Sequence, residues 1–213
     1  MRRLSLSFAL LALMLVFAVP AMAVLTLPIA DDATTEPGLI RIGGGVTLES
    51  DMNMYGARFT YGLDHGIALF GGGGLVDPDG LDSEPFVQLG GQFQIPLDDV
   101  PFDLAVRAGF GYVSFSDSDF GGKADIDILN INVGGLVSYD LEPVIIYGYG
   151  GLSYMRTEYE FRTTDGKFSD DDSDTEPAFG GGVLFPVNQQ FSLYGELMHI
   201  DDLFFSVGAQ VNF

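Results

Sequence analysis

The sequence predicts an all-β chain that closes into a single transmembrane antiparallel up-and-down β-barrel of ten strands, with eight as the fallback count. Three observations carry this. Apolar residues recur with period two and not 3.6 from Gly38 to the end. Charged residues make up 18% while hydrophobic residues reach 47%, against about 25% charged in ordinary domains. Glycine is heavily used, with 29 residues, and it comes in runs inside strand-like segments.

The chain has 213 residues, enough for one domain. The opening "MRRLSLSFALLALMLVFAVPAMA" reads as a secretory signal over residues 1–23. Arg2 and Arg3 form the basic start, an apolar run follows, and Ala21-Met22-Ala23 supplies the small-residue cleavage site. Loss of both arginines would take the net charge from -21 to -23. Such acidity excludes nucleic acid as a partner, because phosphate contacts need a basic surface. No cysteine is present, which excludes disulfides and thiolate chemistry. Residues 24–37, "VLTLPIADDATTEP", hold two prolines and several acids and read as a flexible leader.

The barrel is expected over 38–213. Strands are predicted near 38–49, 54–63, 66–76, 85–96, 102–115, 126–140, 143–160, 176–187, 190–200 and 203–213. Short connections such as "LDHG", "DLEP" and "PVNQQ" alternate with acidic ones such as "DPDGLDSE", "FSDSDFGGKAD" and "RTTDGKFSDDDSDTE". Tight turns at one end and longer loops at the other are the habit of membrane barrels, whose turns face the periplasm.

Parity separates two faces. In the second strand Tyr55, Ala57, Phe59, Tyr61 and Leu63 oppose Gly56, Arg58, Thr60 and Gly62. In the fifth, Leu104, Val106, Ala108, Phe110 and Tyr112 oppose Asp103, Ala105, Arg107, Gly109 and Gly111. Arg41, Arg58, Asp103, Arg107 and Glu196 all fall opposite the apolar row. Arginine facing lipid at mid-bilayer costs about 2–4 kcal/mol, whereas in a lumen it can pair with a carboxylate. A soluble sandwich would also alternate, but its wet face would be rich in Lys and Glu. Here the polar face is small, Gly- and Gln-rich, and the whole chain has two lysines. The five charges are therefore expected to form a polar network that nearly fills the lumen, with the arginines paired to Asp103 and Glu196.

The runs Gly43–Gly45, Gly71–Gly74 and Gly180–Gly182 lie within strands, where a narrow barrel needs small side chains and places to bend. They lack the Lys-Ser/Thr and the following helix of a phosphate-binding loop. Tyr55, Tyr61, Tyr112, Tyr139, Tyr147, Tyr149, Tyr154 and Phe213 supply aromatics for the interfaces.

The last eight residues, "SVGAQVNF", place a polar residue at Ser206, glycine at Gly208, and hydrophobics at Val211 and Phe213. This pattern resembles the assembly signal of outer-membrane proteins. With the signal segment and the strands, it makes residues 38–213 similar to the small outer-membrane barrels of the OmpA-like and OmpX-like "porin family". That resemblance implies a bacterial outer-membrane location. It also implies lipid and lipopolysaccharide as surroundings and recognition by the barrel assembly machinery. Ten strands depart from the eight-stranded members.

No cofactor or resident metal is implied. The acidic connections match no EF-hand spacing, so weak divalent-cation association is the most they suggest. His199 with Asp201 and Asp202 could in principle activate water, but the rim segments are too small to build a substrate groove. The function expected is non-enzymatic, a structural or surface-interaction role with acidic extracellular loops. A narrow passive pore for small solutes is the alternative, and a rim-active hydrolase the second alternative.

Overall fold

The computed structural model describes residues 31–79, 82–117, 123–163 and 166–213. The expected signal segment and the first part of the leader, residues 24–30, lie outside the described residues. Ten strands form one closed antiparallel barrel. They are β1 (Ile40–Leu48), β2 (Met52–Gly62), β3 (Ile67–Pro78), β4 (Glu84–Ile95), β5 (Asp103–Asp117), β6 (Lys123–Asp140), β7 (Ile145–Thr163), β8 (Gly166–Pro186), β9 (Phe191–Ile200) and β10 (Asp202–Asn212).

Each strand pairs with its neighbours in sequence, and β1 closes on β10 from Arg41–Asn212 to Leu48–Phe205. The seam is finished by a reciprocal backbone pair, Phe213 N–H to Ile40 O at 2.8 Å and Ile40 N–H to Phe213 O at 3.2 Å. Closure removes every edge within the membrane, which lipid requires because it cannot satisfy bare backbone groups.

The parity read from the sequence holds through the ladder. Ile42, Phe59, Leu69, Val87, Leu89, Val133, Leu152 and Leu197 are exposed on the outside. Arg41, Arg58, Arg107, Asn130, Gln88 and Glu196 are buried inside. Lipid and not water is the environment in which so much exposed apolar surface is stable.

Two features differ from expectation. The stretch 166–175, expected as loop, is strand, so β8 starts ten residues early. Its acids have low strand propensity, but β7 holds them in register from Thr163–Gly166 to Ile145–Leu184. Cross-strand charge pairs add to this ladder, with Lys167 Nζ 2.6 Å from Glu160 Oε2 and Arg156 Nη2 3.6 Å from Asp171 Oδ2.

The lumen is also less polar than its small-residue pattern suggested. Its loop end, away from the tight turns, is packed with Met54, Val76, Phe86, Val113, Ile128 and Phe204. Tyr147 and Tyr149 are buried inside and belong to no interface girdle. The glycines make room for such rings. A Cβ on Gly134 would meet the Tyr149 ring at 2.6 Å, and one on Gly45 or Gly208 would collide with the Tyr194 hydroxyl.

Candidate functional site

The lumen charges gather at the turn end, around a residue of the leader. Leader residues enter the barrel just ahead of β1, where Gly38 N–H bonds Gly62 O at 2.9 Å and Gly62 N–H bonds Leu39 O at 2.9 Å. Residues 31–33, part of the leader expected as flexible, are buried inside the barrel. Ala33 N–H donates to Ser138 Oγ and Thr35 N–H to Gln94 Oε1, both at 2.9 Å. Gln92 Nε2 donates to Asp32 O at 3.0 Å.

Asp31 is the centre. Its Oδ1 lies 2.5 Å from Arg41 Nη1, and its Oδ2 lies 3.0 Å from Arg58 Nη2 and 3.4 Å from Arg107 Nη1. One carboxylate thus serves three guanidinium groups from β1, β2 and β5. Arg107 also stands 4.0 Å over the Phe70 ring, with Arg58 6.0 Å from the same ring, and donates to Gln92 Oε1 at 3.2 Å. Arg41 donates through Nε to Asn212 Oδ1 at 3.1 Å. Desolvating three cations is tolerable only with such dense pairing.

The structure places the five expected network residues as follows. Arg41, Arg58 and Arg107 meet at Asp31, which the sequence reading had left in the leader. Asp103 sits at the half-buried turn end and accepts from Gln94 Nε2 at 3.3 Å. Glu196 is buried deeper and accepts the Tyr147 hydroxyl at 2.7 Å. A charge count held a clue to the missing partner. Three in-strand arginines faced only two in-strand acids, one of them at a strand terminus, so an acid from elsewhere was needed.

The assembly-signal residues lie along β10. Ser206 faces the lumen and shares a 2.9 Å hydrogen bond with Thr47 Oγ1, Gly208 underlies Tyr194, and Phe213 is exposed at the seam.

At the opposite rim His199 is on the outer face. Its ring stacks on Phe179 with centroids 4.9 Å apart and planes 7° apart. Its Nδ1 is buried without a hydrogen-bond partner. On the neighbouring rim Glu49 is crowded by acids. Burial first, then Asp202, Asp51 and Asp201, push its carboxyl up to about 8. Among the described residues no three His, Asp or Glu side chains are grouped to hold a metal ion.

A closed barrel with a lipid-facing apolar belt and a charged, filled interior defines an integral protein of the bacterial outer membrane. The chain belongs to the outer membrane protein beta-barrel domain family, whose model matches residues 9–213. A search of curated proteins finds no match. Among solved structures, the outer membrane protease OmpT of Escherichia coli is similar with a TM-score of 0.52 at 11% identity, over 83% of this chain and 94% of that one. The N-terminal barrel domain of Pseudomonas aeruginosa OprF gives a TM-score of 0.43 at 12% identity, over 83% and 98%. Ail, the attachment invasion locus protein of Yersinia pestis, gives 0.41 at 15% identity, over 84% and 100%. At these identities the likeness is one of fold.

Proposed function

We propose that this barrel is a non-enzymatic surface-interaction protein whose raised acidic sheet docks basic, extended segments of other proteins outside the cell. One observation carries the reading. The ladder of β8 with β9 begins only at Phe179–His199, while β8 pairs with β7 from Gly166 onward. Residues 166–178 of β8 therefore present a backbone edge without a β9 partner. That edge bears Asp170, Asp171, Asp172, Asp174 and Glu176, all exposed or half-buried.

An open edge adds strands readily. Like charge opposes pairing with a second copy of itself, whereas a basic strand gains both ladder hydrogen bonds and charge complementarity. Against the pore, apolar side chains such as Met54, Phe86, Ile128 and Phe204 are buried at the loop end of the lumen, where water and ions would have to pass. Against the hydrolase, His199 faces outward, stacked on Phe179, and its Nδ1 has no hydrogen-bond partner.

The test is binding of lysine-containing strand-forming peptides to the barrel in lipid vesicles. Neutralising Asp170, Asp171, Asp172 and Asp174 to Asn should abolish binding at physiological salt. Equal binding by this variant, or conductance of small ions by the wild type in planar bilayers, would overturn the reading.

A further inference from the structure

The leader does more than fill space, because its contacts are uneven. Asp31 is matched on both oxygens by three arginines, while Asp32 Oδ1 stands 3.8 Å off Arg41 Nη1. Asp32 Oδ1 and Thr35 Oγ1 are buried with no hydrogen-bond partner, and each such atom is a standing cost. Residues 31–36 form no strand, so no backbone ladder retains them in the lumen. Apart from the Asp31 ion pairs, side-chain hydrogen bonds at Ala33, Thr35 and Asp32 hold the segment, so it can leave without breaking any strand of the barrel.

What the leader covers is a preformed pocket. Arg41, Arg58 and Arg107 come from three strands of a closed ladder, which fixes their backbone positions independently of the leader. Phe70 backs two of them. Beyond them the lumen holds buried Tyr147, Tyr149 and the apolar block around Phe86 and Phe204. The three arginines thus lie on the turn side of this block, the periplasmic side of such barrels.

We propose that the turn end of the lumen is a carboxylate-binding pocket, formed by Arg41, Arg58 and Arg107, in which Asp31 is a tethered resident ligand that a carboxylate arriving from the periplasm can replace. Three guanidinium groups converging on two oxygens is the geometry of oxyanion capture. Withdrawal of the leader would leave three buried cations with Glu196 as the acid nearest in the lumen, and that imbalance is what recruits the incoming anion.

The test uses the full mature chain with Asp31→Ala, which empties the carboxylate position and leaves the leader attached. Thermal unfolding in detergent is followed by circular dichroism in formate, acetate, phosphate or chloride at equal ionic strength. Formate and acetate should raise the midpoint of this variant steadily with concentration, and bind at least tenfold more tightly than to wild type. Asp31→Asn, which keeps the shape without the charge, and Asp31→Ala with Arg58→Gln should lose the response. If Asp31→Ala refolds poorly, refolding yield in formate against chloride gives the same readout. A response to chloride equal to that to formate, or one as large in wild type, would overturn the proposal, and so would preference for phosphate.

Discussion

Asp31 Oδ2 and Arg58 Nη2 lie 3.0 Å apart inside the barrel, although one residue precedes the first strand and the other is in the middle of the second. The pair ties the leader to the wall. Removing one partner of a buried ion pair leaves an uncompensated charge and costs about 3–5 kcal/mol. Asp31→Asn is therefore expected to lower stability by about that amount in chloride buffers. Urea unfolding followed by circular dichroism checks it, and a change below about 1 kcal/mol would show that the arginines are satisfied by other groups.

The rim acid Glu49 gives a pH dependence of opposite sign to the usual carboxylate. Its carboxyl is raised from 4.5 to about 8 by burial and by Asp202, Asp51 and Asp201. The folded state therefore holds a proton that the unfolded state has released. Its stabilising effect is complete below the unfolded value and is lost as pH rises through about 8. Glu49→Gln should be more stable than wild type at pH 8 and indistinguishable at pH 4. Partial exposure of the group keeps the difference modest. Parallel melting curves at the two pH values measure it.

Two glycines on the adjacent strands β6 and β7 should respond oppositely to alanine. A methyl on Gly134 meets Gly150 O and the Tyr149 ring, both at 2.6 Å, whereas one on Gly150 meets nothing within 4 Å. Gly134→Ala is expected to destabilise by about 1–3 kcal/mol through overpacking. Gly150→Ala should be neutral or slightly stabilising. Denaturant midpoints of the two variants test the pair.

Phe213 separates assembly from stability. Phe213 is 67% exposed, and its backbone hydrogen-bonds Ile40 across the seam. Phe213→Asp should reduce the amount of barrel reaching the outer membrane in cells, yet refold normally from urea into detergent. A comparable loss of stability in detergent would assign the residue to the fold and not to the assembly signal.

Strand identity was legible wherever an apolar row met a single wet or small face, as in β2 and β5. It failed over the first ten residues of β8, because Asp170 to Thr175 carry no apolar alternation, and only the ladder with β7 makes them strand. The rings of Tyr147 and Tyr149 looked equally suited to an interface, and burial against neighbouring glycines placed them inside. Arg41, Arg58 and Arg107 were assignable to the lumen from parity, but their partner was not.

By itself the sequence determined that this protein is a membrane barrel, which residues meet lipid, and that the arginines turn inward. Period-two patterning and the penalty for charge in hydrocarbon act locally, strand by strand. Only the tertiary structure decided that Asp31 closes the turn end of the lumen and that β8 stands out as an acidic edge. Both depend on closure of the ladder, which brings β1, β2 and β5 around one leader carboxylate and ends the pairing of β9 before that of β7.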